Sequence, residues 1–410
     1  MSAIRITSEI GELKKVLVHE PGPEVLAVTP GKRHDFLYDD IIELDTARSE
    51  HRTMVAVLER FSQVYEVRDL LRDVVDKPEA REMLRERTAH VAPSGFLAKR
   101  LEETPADELV ALLVEGTEEE VGPIAKMLNE GGYALPPLPN LFFMRDVGMV
   151  IGEWAVIGSM RHGARWSEEM LLKTMFQYHP EMAGKGIIYD GSGERRLDYT
   201  LEGGDVHPVR EDLLILGLSE RSSALGIDHL CDTVFDQSDV TDVIVVVMPA
   251  EPTAIHLDML FTQIDEDLCL VSPHQFIGPE RLAVLHRQKG KDRVREMPDF
   301  FAALRSVEFP LEPILCGGEE RGVQEREQWA SGCNLLALKP GVAIAYRRNE
   351  ATLEELKKAG FRVVESEQFL LGEEDVAEGD RVILTIKGSE LVRGGGGPRC
   401  MTLPLFRESV

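Results

Sequence analysis

A chain of 410 residues is long enough for one large domain or two ordinary ones, so a sizeable apolar core can form without disulfide or metal staples. Forty-six Lys and Arg stand against 72 Asp and Glu, a formal charge of −26 that repels phosphate backbones and anionic lipid, which argues against nucleic-acid or membrane partners. The five cysteines, Cys231, Cys269, Cys316, Cys333 and Cys400, are scattered, with no CxxC pair and no zinc-type spacing to histidine, so reduced thiols in a cytoplasm are expected.

The opening "MSAIRITSEIGELKKVLVHE" lacks the charged-then-apolar order of a signal peptide, and no apolar run approaches the roughly 20 residues of a membrane span. From there, β-rich runs alternate with amphipathic helical segments. "KKVLVH" reads as a strand, "DDIIELDTARSEHRTMVAVLERF" as a helix and "QVYEVRDL" as a further strand. Residues 76–132 break this rhythm: Leu, Met and Val recur at helical spacing among charges with no strand signal, so a helical insertion is expected, ended by the stop and rigid linker "GGYALPPLPN".

Beyond it, "GMVIGEWAVIGS" precedes the helix "RWSEEMLLKTMFQY", and "DLLILGLS" precedes the helix "RSSALGIDHLCDTVF". "IHLDMLFTQIDEDLCLVSP" reads as strand sequence before a helix in "PERLAVLHRQ", and "NLLALKPGVAIAYRR" as strands before "ATLEELKKAGFRVVE". About five βαβ-like units result. Short turns, "GE" at 152–153 and "PG" at 340–341, mix antiparallel hairpins into the pattern and argue against a purely parallel doubly wound sheet. The expected class is α/β.

The residues that could carry chemistry gather near strand ends. "LVRGGGGPRCMTLPLFRESV" places Cys400 behind the glycines 394–397, which can adopt positive φ and approach a ligand, and beside Arg399, a cation that would favour a thiolate. The bland alternative is a surface loop before a tail strand, with Cys400 as a small buried hydrophobe. "NLFFMRDVGMV" places Asn140, Arg145 and Asp146 at the mouth of an apolar strand. "LEGGDV" sets Glu202 and Asp205 around two glycines, and "HLDML" sets His256 and Asp258 on one face of an expected strand. Separately, each has an ordinary structural explanation. No HExxH motif and no second histidine at ligand spacing is present, so no metal is expected. Together, a cysteine, a histidine and three or four carboxylates suit attack on a guanidinium carbon, because carboxylates accept paired N–H donors, the thiolate is the nucleophile and the histidine moves protons.

The ordered set "VHEPGPE", "FLYDDI", "NLFFMRD", "ARWSEE", "LEGGDV", "SERSS", "HLDML", "EQWASGCNLLALKPGVAIAYRRN" and "RCMTLPL" resembles the arginine deiminases of the guanidino-group-modifying superfamily, from about Ile4 to the C-terminal strand. The resemblance implies a five-bladed α/β propeller, one catalytic domain over 1–410 with the helical insertion at 76–132, and hydrolysis of L-arginine to L-citrulline and ammonia without cofactor or metal. It implies Cys400 as nucleophile, His256 as general acid and base, and Asp146 and Asp258 on the guanidinium with Glu202 beside His256. Arg165, Arg221 and Asn140 would meet the α-carboxylate, Phe143 would pack along the aliphatic stem, and Asp205 would complete the substrate-binding set. A cytoplasmic homo-oligomer is implied as well.

Two departures stand out. Family members often carry an arginine within the glycine run, whereas here Arg393 precedes it and Arg399 follows it, so one of these, Arg399 first, is expected to take over carboxylate contact or gating. "YRRNEATLEEL" lacks the acidic residue expected before Arg348, either an altered site entrance or drift on a helix face. An amidinotransferase or an arginine dihydrolase would keep the same cysteine, histidine and carboxylates, and a non-catalytic arginine-binding protein would keep the pocket.

Overall fold

The first strand, Leu13–Val18, pairs in parallel with Gln63–Glu66 and antiparallel with Leu403–Arg407, so the two ends of the chain share one sheet. The computed structural model describes residues 2–91, 95–128, 132–193, 198–249 and 251–410. Among them are four more sheets of three or more strands. Gly148–Ile151, Trp154–Ile157 and Gly186–Asp190 form one. A five-stranded sheet runs from Val206–Arg210 through Leu213–Leu218, Asp242–Val247 and Ala283–Gln288 to Arg295–Met297. Phe261–Gln263, Leu268–Val271 and Glu312–Leu315 form another, and Leu336–Lys339, Val342–Tyr346, Val382–Ile386 and Arg362–Glu365 the last. Every one of these sheets combines an antiparallel pair with a parallel return, as the hairpin turns require.

Helices cover the parallel returns. Ala224–Gln237 links Leu213–Leu218 to Asp242–Val247 and buries Ile227, Leu230, Cys231 and Val234 on one face, against strand residues such as Leu214, Leu216, Val243 and Val245. Full burial of each such aliphatic side chain contributes about 1.5–3 kcal/mol. Ser223 Oγ caps this helix by accepting from Gly226 N at 3.1 Å, worth about 1 kcal/mol, and so fixes where the preceding 219–222 loop lies.

Four expectations are corrected. "PERLAVLHRQ" is not helical: Ala283–Gln288 is a strand in register with Asp242–Val247, where pairing on both sides overrides a short ambiguous apolar pattern. "QVYEVRDL" is strand only to Glu66, because Val67–Val75 turns its Val and Leu residues onto one buried helix face. "HLDML" is a 3-10 turn, Leu257–Met259, rather than a strand. In the 76–132 segment, helices Pro78–Val91, Gly95–Glu103, Ala106–Glu115 and Pro123–Met127 are joined by a two-residue strand, Thr117–Glu118, paired with Tyr133–Leu135 inside the stretch read as linker. Residues 92–94 and 129–131 of that stretch lie outside the described residues. Among the described residues no helix is long and apolar enough to cross a membrane.

A pattern emerges at the starts of strands. Short turns precede Gly148–Ile151, Val206–Arg210, Phe261–Gln263, Leu336–Lys339 and Leu403–Arg407, one strand in each of the five larger sheets. These turns carry Asp146, Glu202, His256 with Asp258, Asn334, and Cys400.

Candidate active site

Cys400 lies in the turn before the last strand, 4 % exposed. Of the glycines before it only Gly395 has a positive φ, +88°. The others serve close approach: a Cβ would sit 2.8 Å from the Phe143 ring at Gly394, 2.5 Å from it at Gly396, and 2.6 Å from Asn334 O at Gly397. Asn334 Nδ2 donates to Cys400 Sγ at 3.0 Å, and Asp258 Oδ2 lies 3.5 Å from the same sulfur. Burial pushes the Cys400 thiol well above its ordinary value, and the charges of Asp258 and Asp146 push it further, against smaller opposing contributions from the Gly397 N–H and Arg399.

His256 enters from the turn before Phe261–Gln263. Its Nε2 lies 2.8 Å from Glu202 Oε2 and its Nδ1 3.5 Å from Asp146 Oδ1. Burial alone lowers an imidazole, but Asp146, the Glu202 hydrogen bond and Asp205 together push His256 up to about 9. Burial opposes the charge on Glu202, yet Arg221, 3.5 Å away, and His256 hold it down at about 2. The pair is an imidazolium and a carboxylate at neutral pH. Asp146, Glu202 and His256 each offer an atom within 4.8 Å of the others, a spacing that could hold a metal ion. Ligation needs a neutral imidazole, and a ring pushed up to about 9 disfavours it.

Asp258 faces the other side of the sulfur. Its Oδ2 accepts from Arg399 Nη1 at 2.9 Å, and Arg399 also donates to Glu9 through Nε and Nη2, both at 3.1 Å. Arg145 lies behind this pair, Nη1 4.0 Å from Glu9 Oε1, and burial with the Arg399 charge lowers it to about 9. Two buried carboxylate oxygens in the cluster have no hydrogen-bond partner: Asp146 Oδ1 and Asp258 Oδ1.

An inner cavity of about 30 Å³ is lined by Cys400, His256, Asp146, Asn140, Phe143 and Arg165, among others. It adjoins an outer vestibule of about 1040 Å³, the two sharing Leu37, Arg221, Ile255, Gly394 and Gly395. Arg165 is already engaged there, donating to Asp146 Oδ2 at 2.5 Å and to Glu168 Oε2 at 2.8 Å. Three residues expected at the substrate lie elsewhere. Arg399 is 1 % exposed and points away from the cavity into Glu9 and Asp258, because a buried guanidinium goes where carboxylates neutralise it. Arg393 lines the vestibule and not the inner cavity, paired with Asp40 and Glu390. Asp205 sits beneath the His256 turn, accepting from Leu257 N at 2.8 Å and Ser219 Oγ at 2.6 Å, with burial raising it to about 7.

The family model for arginine deiminase matches residues 34–407. An arginine deiminase of Treponema denticola is 33 % identical over the whole of both chains. The chain belongs to the arginine deiminase family. Solved structures agree at the level of fold. SxtG, an amidinotransferase from Microseira wollei, superposes with TM-score 0.54 at 15 % identity, covering 100 % of this chain and 98 % of its own. Unliganded AgrE gives 0.53 at 15 % identity over 96 % of this chain, which spans 40 % of AgrE's length. The mixed α/β architecture is thus the amidinotransferase fold.

Within this arginine deiminase family member, reading the sequence missed Glu9, Glu168 and Asn334. Glu9 lies in none of the family-like motifs and becomes visible only as the counter-charge of Arg399, whereas Glu168 lies within "ARWSEE" and its role emerges only as the counter-charge of Arg165. Asn334 lies inside the quoted stretch "EQWASGCNLLALKPGVAIAYRRN", immediately after a cysteine, where a signal was available.

Proposed function

We propose that this chain hydrolyses L-arginine to L-citrulline and ammonia through a covalent amidino-cysteine intermediate. The observation that carries the reading is the pair of buried carboxylate oxygens that accept no hydrogen bond, Asp146 Oδ1, which has only the ion pair with His256 Nδ1 at 3.5 Å, and Asp258 Oδ1 on the carboxylate next to Cys400 Sγ. A buried acceptor without a partner costs about 1–3 kcal/mol, and a guanidinium, with five N–H donors, is the cation that two such carboxylates fit. Arg221 and Arg165 receive the α-carboxylate with Asn140 assisting, and Phe143 flanks the stem. Arg399 and Asp205 act from behind the wall, fixing Asp258 and the His256 turn.

In the free site Cys400 is a thiol. The substrate's positive charge beside the sulfur favours the thiolate, and because His256 already carries its proton, the thiol proton passes to solvent water as arginine binds. The thiolate attacks the guanidinium carbon, and the imidazolium of His256 protonates the departing nitrogen, releasing ammonia. The neutral His256 then takes a proton from water attacking the amidino carbon, and collapse expels the thiolate and citrulline. Arginine enters through the vestibule, past the lip of Leu37, Arg221, Ile255, Gly394 and Gly395 that the two cavities share.

The same reading arranges the five larger sheets as blades of a propeller around the site, with residues 76–132 inserted into a single domain. Support comes from the five strand-entry turns, whose side chains meet in one cluster around Cys400 and His256, and from the shared fold of SxtG. A cytoplasmic homo-oligomer that needs no cofactor completes the proposal. The test incubates wild type and Cys400→Ala with L-arginine, without added metal, and quantifies citrulline, ornithine and ammonia together. Equal citrulline and ammonia from wild type and none from the variant are expected. Ornithine as the main product would move the reading to dihydrolase chemistry, and no product would overturn it.

A further inference from the structure

Four of the five strand-entry turns supply residues the reaction already uses; the fifth, before Leu336–Lys339, brings Asn334 to the nucleophile. Asn334 is fully buried, and its amide is completely engaged. Oδ1 accepts from Cys400 N at 3.1 Å, while Nδ2 donates to Cys400 Sγ at 3.0 Å and to Asp258 O at 3.2 Å. This fixes the amide's orientation. A flip would set Oδ1 against a sulfur and a carbonyl, and Nδ2 against an N–H, losing every bond. Gly397 is kept free of a side chain at this point, since a Cβ there would lie 2.8 Å from Asn334 Oδ1.

The charges around the sulfur explain what such a donor does. Asp258, 3.5 Å away, and Asp146 both oppose a negative sulfur, and Arg399 is neutralised by Glu9 and Asp258. Asn334 presents an N–H directly to Sγ, a neutral dipole of the right sign that is in place before substrate arrives. We propose that Asn334 is a catalytic residue of this site, its amide N–H holding the sulfur of Cys400 as the thiolate forms. The role rests on the hydrolytic reading above. When attack converts the thiolate to a thioether-like sulfur the bond weakens, and it strengthens again when the sulfur leaves, so it serves both halves of the reaction.

The test compares wild type, Asn334→Ala and Asn334→Asp in two ways. The first is the pH midpoint for alkylation of Cys400 by iodoacetamide, read by mass spectrometry on the Cys400 peptide; the second is kcat and KM for citrulline formation. A hydrogen bond to a charged group is worth enough to move the alkylation midpoint up by about one pH unit or more in Asn334→Ala. Asn334→Asp keeps an acceptor for the Cys400 N–H but puts an anion at the sulfur, so its midpoint lies higher still. In both variants kcat falls roughly 10- to 100-fold with KM within about threefold. An unchanged midpoint in Asn334→Ala would mean that the side chain only clamps the backbone, and would overturn the proposal. Should Asn334→Ala fail to fold, an unchanged midpoint in Asn334→Asp overturns it equally. Alkylation needs no turnover, so a wild type that makes no citrulline would sink the hydrolytic reading while the midpoints still decide whether Asn334 holds the thiolate.

Discussion

Two histidines of this protein sit in nearly the same electrostatic surroundings and do different things. His19 is buried with Nδ1 2.8 Å from Glu66 Oε1 and Nε2 3.1 Å from Glu24 Oε1. Burial lowers it, the two glutamates more than offset this, and it rises to about 9, as His256 does. Around His19, however, the acceptors are filled: Glu24 takes Gly22 N and Arg68, and Glu66 takes Glu20 N. Around His256 an oxygen of Asp146 is left open, and the ring faces a cavity beside a cysteine. A displaced pKa marks a charged cluster, and the unfilled acceptors mark the site.

The largest effect should separate the two rings. His256→Asn is expected to lower citrulline formation by roughly a thousandfold or more, since proton transfer by a placed side chain contributes about 10²–10⁴ and the leaving nitrogen has no other evident donor. Its fold should survive, because Glu202 keeps Arg221 and Asp146 keeps Arg165. His19→Asn should leave kcat within about threefold and instead cost about 3 kcal/mol of stability, read as a denaturant midpoint, by leaving Glu24 and Glu66 short of a cation. Equal losses of activity in both variants would break the distinction.

Arg399 tests the structural side of the cluster. Arg399→Met removes the guanidinium that hydrogen-bonds both Glu9 and Asp258 in the interior, and leaves two buried anions with only the looser charges of Arg145, 4.0 Å from Glu9, and Arg407. A loss of about 3–5 kcal/mol is expected in urea unfolding. A variant of wild-type stability that fails only in KM would return Arg399 to the substrate.

The comparison also has a pH signature. A histidine at about 6.5 unfolded and about 9 folded contributes stability that is complete below pH 6.5, declines as pH rises through that window and is gone above about 9. For His19 the contribution amounts to about 3 kcal/mol. His256 acts in the same direction over the same window. Urea midpoints at pH 6, 7.5 and 9.5 should therefore fall with rising pH in wild type, and His19→Asn should remove about half of that fall.

How much of this was legible beforehand differs between fold and site. Alternation of strands and helices, the hairpins at 152–153 and 340–341 and the tail strand could be read because each depends on local pattern and turn chemistry. "PERLAVLHRQ" could not, since its strand exists only through pairing with Asp242–Val247, some 40 residues earlier. In the site, Cys400, His256, Asp146 and Asp258 announced themselves by chemistry at strand ends. Partner choice was not legible: nothing local says that Arg399 turns to Glu9, about 390 residues away, instead of to the cavity.

Arg393 gives the smallest effect and the finest discrimination. Its side chain is 42 % exposed and pairs with Asp40 and with Glu390 at the rim of the vestibule. Exposed pairs of this kind contribute below about 1 kcal/mol, because water screens them and two long side chains must be ordered to make them. Arg393→Ala should therefore shift the urea midpoint barely and leave KM for arginine within about threefold, whereas Arg221→Ala, at the lip shared by both cavities, should raise KM at least tenfold. A tenfold rise of KM in Arg393→Ala would mean that the 391–394 turn carries this cation inward when substrate binds. The vestibule would then be part of the binding site, and the boundary drawn here at Arg221 would move outward to Asp40, since that carboxylate would have to release Arg393 for each substrate taken up.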